Sequence, residues 1–169
     1  ALALSKFDFK SEGGKYSVSI TKTLIFPKNT SEIKQMPKSD HGFRSVPIPD
    51  TTAAFLKEYI STLPGTYLFT CRDGSNMTHS AYVKMWASIV KKINYAAGGT
   101  DTFPVVSGLT AHIFRHNYCT NLCYQVPAIS IKKIAQLMGD TEKMVLDVYN
   151  HIMEEKEDAA AVVNDVLAI

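Results

Sequence analysis

A change of hydrophobic period at Asp50 constrains this chain more than any other feature. From that residue onward apolar side chains recur at helical spacing, and such a pattern can be buried only by packing helices together. Phe55, Leu56, Tyr59, Ile60 and Leu63 form one helical face behind Asp50, the expected cap, and Pro64-Gly65 stops it. A longer helix over Thr78 to Ala97 carries Tyr82, Met85, Trp86, Ile89, Val90 and Ile93 on one side and stops at Gly98-Gly99. That stripe reads as core rather than site. Further helices are expected at about 110 to 124, 130 to 138 and 141 to 150, with a last one over roughly 154 to 168.

Before Asp50 the period is two. Phe7 to Phe9 and Lys15 to Lys22 read as strands, with Tyr16, Val18 and Ile20 alternating outward from a hairpin turn at Gly13-Gly14. Residues 27 to 42 carry Pro, Lys, Asn, Ser and Asp without periodicity and read as a polar, lysine-bearing loop. "FRSVPIP" follows as a third strand, confined to an edge by Pro47 and Pro49. The expected fold class is α+β, mainly α, with a small antiparallel sheet near the N-terminus.

Composition narrows the options. At 169 residues and 46% apolar, the chain suits one sizeable core and a single domain. Eighteen Lys and Arg against sixteen Asp and Glu leave a charge of +2, which favours a polyanionic partner only if the cations share a face. Cys71, Cys119 and Cys123 are odd in number and lack C-x-x-C spacing, which argues against a disulfide framework or a zinc site and fits a reducing, cytoplasmic setting. No apolar run approaches the roughly 18 residues of a membrane span, and no export signal is expected.

The chemistry is concentrated in "LTAHIFRHNYCTNL". His112 and Arg115, three positions apart on a helix, can address a single group from one face. A phosphate suits them: Arg is a permanently charged fork for two oxygens, and His donates to a third or moves a proton. Alone the pair is weak, because the same spacing arises with a partly buried His and a solvated Arg. His112 and His116 stand four apart, a spacing able to hold a metal, but no Glu follows the first as H-E-x-x-H requires; no metal and no cofactor are expected. Downstream, "IKKIAQLMGDTEKMVLDVYNHI" supplies a Gly139-Asp140 break between helices and then Tyr149. Taken alone, a tyrosine beside Val145, Leu146 and Val148 is more often a packing residue.

The order His-x-x-Arg, helix, "LMG" turn, helix and Tyr in "VYNH" resembles the catalytic domain of the tyrosine recombinases, the phage and conjugative-transposon integrases. "MPKSDHGFRSVPIP" is similar to the family's hairpin, where a lysine precedes an Arg-x-Val-Pro strand, and "ALAL" resembles residues just after its first arginine. The resemblance covers nearly the whole chain and implies a tyrosine-recombinase-like fold. It implies site-specific cleavage and rejoining of DNA through a 3′-phosphotyrosine, moving a mobile element, without ATP or metal. By that resemblance Tyr149 is the nucleophile, Arg115 and His112 stabilise charge on the phosphate, and Lys38 protonates the departing 5′ oxygen. A free tyrosine titrates near about 10, so the nucleophile needs a proton acceptor or a positive field.

Two departures from the family pattern follow. The first catalytic arginine is expected upstream of "ALAL", so this stretch is expected to be truncated at its N-terminus and to cleave weakly, about 100-fold to 1000-fold below the parent for one lost oxyanion donor. Asp140 stands where many members carry histidine; a carboxylate cannot donate to phosphate, and it is left with three roles: accepting the Tyr149 proton, orienting Arg115, or capping the helix near Thr141.

Residues 1–151 are read as the catalytic domain and 152–169 as a C-terminal helix. Glu154, Glu155, Glu157 and Asp158 lead into Ala161, Val162, Val163, Val166 and Leu167, an amphipathic tail that by resemblance docks in trans within a tetramer synapsed on DNA. Lys84, Lys91, Lys92, Lys132 and Lys133 are candidate contacts to double-stranded DNA, each with solvated helix surface as its plainer reading. Beyond DNA and its own copies, an accessory excision factor is an implied partner, a membrane is not, and the setting is the cytoplasm of a bacterial or phage-infected cell. Two alternatives remain: a type IB topoisomerase, told apart by the absence of recombinant products, and an inactive DNA-binding module, excluded by a covalent tyrosine adduct.

Overall fold

A computed structural model describes residues 2–27, 30–37 and 40–156. The chain divides into two compact units, Ala1–Leu109 and Thr110–Ile169.

In the first unit, the strand expected at Phe7 to Phe9 is displaced. Ser5 donates from its backbone N–H and from Oγ to Asp8 Oδ2, each at 2.7 Å, and this local pairing accompanies a single 3-10 turn at Lys6–Asp8. Strand β1 (Phe9–Glu12) therefore starts at Phe9 and pairs antiparallel with β2 (Lys15–Ile20), Glu12 facing Lys15 across the turn. Gly13 and Gly14 make that turn with φ of 55° and 75°, left-handed values that glycine adopts freely. The loop expected between residues 27 and 42 holds a strand, β4 (Glu32–Lys34), which pairs antiparallel with β3 (Thr23–Ile25) just before it. Strands of three residues are too short to show alternation. Strand β5 (Arg44–Ile48) pairs with the other side of β2, so the order is β1-β2-β5 and β5 lies at an edge, where its prolines are tolerated.

Helix α1 (Asp50–Thr62) corrects a second expectation: Pro49, with ψ of 151°, takes the cap position and Asp50 becomes the first helical residue, its charge in the turn the helix dipole favours. It packs beside β2, where Lys57 Nζ donates to the Tyr16 hydroxyl at 2.8 Å. Helix α2 (His79–Ala96) is capped by Thr78, whose side chain accepts from the Ala81 N–H. Its apolar stripe is half-buried rather than sealed, and Asn94 is its one buried residue. Asn94 binds the following loop, donating to the Thr100 carbonyl at 3.0 Å and accepting from the N–H groups of Val105 and Val106 at 2.8 and 3.0 Å. Gly98, at φ of 86°, ends the helix, while a Cβ on Gly99 would collide with the Asn94 side chain. The two adjacent glycines thus answer different needs.

The N-terminal turn of this unit is tied down by an ion pair. Lys22 Nζ lies 2.8 Å from Asp8 Oδ2, with the side chains 15% and 9% exposed, and also donates to Ser5 Oγ at 2.9 Å.

The second unit is built from three helices, α3 (Ala111–Cys123), α4 (Ile131–Met138) and α5 (Glu142–Lys156). Thr110 and Ser130 cap the first two by accepting from the Ile113 and Lys133 N–H groups, and Thr141 Oγ1 accepts from Met144 N–H at 3.3 Å to start the third. Cys119, Cys123, Ile134, Ala135, Met138, Val145 and Ile152 form the buried core where the helices meet. Helix α5 runs past residue 150 without the break expected there, because Ile152 is 4% exposed and keeps the helical face in contact with that core. The expected helix at 154 to 168 lies, beyond residue 156, outside the described residues. Among the described residues no helix is long and apolar enough to cross a membrane.

Candidate active site

The second unit gathers the polar residues of interest around one pocket. Thr110 fixes the start of α3, so His112, Arg115, His116 and Cys119 follow at one-turn spacing along the same face. Opposite them, α4 ends in a left-handed Gly139 at φ of 65°. The Gly139 N–H bonds the Gln136 carbonyl at 3.3 Å and the Asp140 N–H bonds the Ala135 carbonyl at 3.1 Å, the paired closure of a Schellman terminus. This closure sets Asp140 against α3: its Oδ2 accepts from Arg115 Nη2 at 2.8 Å, and its Oδ1 accepts from the Thr141 N–H at 3.0 Å. Asp140 is thus in hydrogen-bond contact with Arg115, and Thr141 caps α5.

The pocket, about 100 Å³, is lined on one side by His112, Arg115, His116 and Cys119, and closed by Met138, Asp140, Met144, Val145 and Val148. Its lining is mostly apolar, with Arg115 and Asp140 its charged members. Arg115 and Asp140 are about one-third exposed, at 34% and 37%, so the ion pair is open to an incoming ligand. His112 and His116 place their Nε2 atoms 2.8 Å apart with rings nearly perpendicular, so one ring donates and the other accepts. Burial pushes both the Cys119 and Cys123 thiols up, Cys123 to about 11, which leaves them poor nucleophiles beside Arg115. Among the described residues no cluster of three His, Cys, Asp or Glu could hold a metal ion.

Tyr149 follows Val148, a lining residue, on α5; its half-buried ring packs against the core of the unit. His112, Arg115 and Asp140 are thus brought together, and Tyr149 is carried on the helix that forms the facing wall. Lys38 lies outside the described residues. Lys84 and Lys92 are exposed on α2, and Lys132 and Lys133 on the first turn of α4. Lys91 is also exposed but is engaged, 2.8 Å from Asp101 Oδ2 and 5.3 Å from the centre of the Tyr95 ring. The apolar lining was not foreseen, although Cys119 stands one turn beyond Arg115 and so had to share its face.

Residues 18–156 match the model of the phage integrase family. The chain belongs to that family. Other relatives agree: it is 26% identical over 151 residues to a XerC-like tyrosine recombinase of Caldanaerobacter subterraneus subsp. tengcongensis, covering 79% of this chain and 35% of that protein. It is 31% identical over 118 residues to a tyrosine recombinase of Thermosipho africanus, covering 69% of this chain and 37% of that one. The chain thus spans little more than a third of these relatives' length. In fold it resembles the Tn1549 transposon integrase solved with transposon right end DNA, at a TM-score of 0.69 and 22% identity over 94% of this chain and 53% of that one. A second structure of that integrase, with a circular intermediate DNA, matches at a TM-score of 0.68 and 21% identity, covering 92% of this chain and 53% of that one. The α+β, mainly helical fold of the family, with its small antiparallel sheets before the helices, is the one described above.

Proposed function

We propose that this chain is catalytic machinery of a site-specific DNA recombinase that moves a mobile element. The observation that carries the reading is the convergence of His112, Arg115 and Asp140 on one pocket whose facing helix bears Tyr149, within the span that matches the family. In the reaction, the Tyr149 hydroxyl gives up its proton to solvent and its oxygen bonds to phosphorus as the bond to the 5′ oxygen breaks, leaving a 3′-phosphotyrosine. Arg115 and His112 donate to the non-bridging oxygens as charge grows there, and Lys38 delivers the proton to the departing oxygen. Reversal by a second strand's 5′ hydroxyl joins the DNA.

The same reading assigns residues 1–151 to the catalytic domain and 152–169 to a segment that docks into a neighbouring protomer of a tetramer on double-stranded DNA. Lys84, Lys92, Lys132 and Lys133 contact phosphates; Lys91 does so by exchanging Asp101 for the DNA. An accessory excision factor acts on the assembly, in the cytoplasm. Support for a DNA partner comes from the related integrase having been solved on transposon ends and circular intermediates.

The test is a protein extended upstream of Ala1, incubated with a nicked suicide duplex and resolved by denaturing gel and peptide mapping. A DNA adduct on Tyr149, absent in Tyr149→Phe, is the expected result. Salt-sensitive DNA binding without any adduct would refute strand cleavage and leave a binding module.

A further inference from the structure

Asp140 is anchored within the α4–α5 connection and bonded from there across to α3. Its backbone N–H closes the end of α4 on the Ala135 carbonyl, Oδ1 accepts from the Thr141 N–H, and Oδ2 accepts from Arg115 Nη2. Two donors therefore converge on one side chain, one on each oxygen. A carboxylate satisfies both; an amide of the same shape satisfies one and sets its NH2 against the other. The left-handed Gly139 fixes the backbone from which the carboxylate projects.

We propose that Asp140 is a positioning residue for strand cleavage, holding the Arg115 guanidinium in one orientation over the pocket before DNA arrives. The proposal rests on the recombinase reading above, in which Arg115 grips the scissile phosphate. An ion pair one-third exposed adds little to stability, so its contribution is geometric. Arginine has a long, flexible stem, and an unheld one must surrender its rotamer freedom in the transition state; a held one has already done so. Its fork has five N–H donors, more than one carboxylate oxygen takes up, so phosphate and Asp140 can be bound together. The carboxylate also repels the phosphate it helps to orient. Its removal therefore acts in opposite directions on binding and on rate, a pattern that a merely structural residue or a direct phosphate ligand would not produce.

Two measurements test this. The first follows single-turnover adduct formation by the upstream-extended protein, comparing Asp140→Ala, Asp140→Asn and Asp140→Glu. Alanine and asparagine should lower the rate at saturating DNA by about 10-fold to 100-fold, the cost of a misplaced reacting group. Half-saturation should stay unchanged or fall to lower DNA concentration, and glutamate should recover part of the rate. A rate within about twofold of the parent in the asparagine variant, or half-saturation that rises as the rate falls, overturns the proposal.

The second measurement uses the 169-residue chain alone, whose only arginines are Arg44, Arg72 and Arg115. Its 15N guanidinium spectrum should contain a slowly exchanging Nη signal that disappears in Arg115→Lys and averages out in Asp140→Ala. An adduct formed by a parent whose Arg115 is already unheld overturns this inference alone. A held Arg115 in a protein that forms no adduct overturns the recombinase reading instead.

Discussion

Truncating Ile134 to alanine tests whether the helical unit is held together by the core described above. Ile134 is 0% exposed and stands among Cys119, Cys123, Val145 and Ile152, contributed by all three helices. The three carbons beyond Cβ are each worth about 0.8 kcal/mol of transfer free energy, roughly 2.4 kcal/mol together. A cavity that its neighbours fill only partly raises the cost, and such substitutions span about 2 to 5 kcal/mol in all. Alanine is the better helix former in α4, which returns a few tenths. The expected net loss is about 3 kcal/mol. Urea unfolding followed by far-UV circular dichroism reads it, since Trp86, the sole tryptophan, lies in the first unit and reports there. Leu146→Ala, at a site 43% exposed on α5, is the control and should cost less than about 1 kcal/mol. If Ile134→Ala were as mild as the control, the packing of α3, α4 and α5 on Ile134 would be wrong.

Two further outcomes follow from the same geometry. Gly139→Ala should lower stability by about 1 to 2 kcal/mol, because a side chain meets a steric penalty at φ of 65°; a urea midpoint equal to the parent's would contradict a left-handed terminus. Burial alone would push the Asp8 carboxyl up, but hydrogen bonds from Lys22 and Ser5 outweigh it and hold the carboxyl below the usual range. The folded value thus lies below the unfolded one, about 3.9, so this stabilisation is complete above roughly pH 4 and is lost as pH falls through the folded value. Acid unfolding of Asp8→Asn should be correspondingly flatter in that range, and a curve parallel to the parent's would count against the network.

The sequence was most informative where local rules and burial agree. Helices α2, α3 and α4 begin at Thr78, Thr110 and Ser130, residues whose hydroxyls accept the first free N–H groups, and α2 and α4 end at glycines with positive φ. Those signals lie within a few residues of one another and can be read without the fold. His112 and Arg115 were legible for the same reason, since helical spacing alone puts them on one face. Phe7 to Phe9 misled because the alternating pattern competed with a Ser5–Asp8 pairing that won locally, and β3 and β4 escaped because a three-residue strand has no period to detect.

What the sequence determined by itself is the family, the starts of α2, α3 and α4 and the identity of the candidate chemical groups, all of them properties of residue type and near-neighbour spacing. Only the tertiary structure decided that Asp140 faces Arg115 across 25 positions of chain, that Cys119 and Val148 line the same pocket, and that α5 continues beyond residue 150. Each of these depends on how helices distant in sequence pack side by side, and nothing within a single helical turn records it.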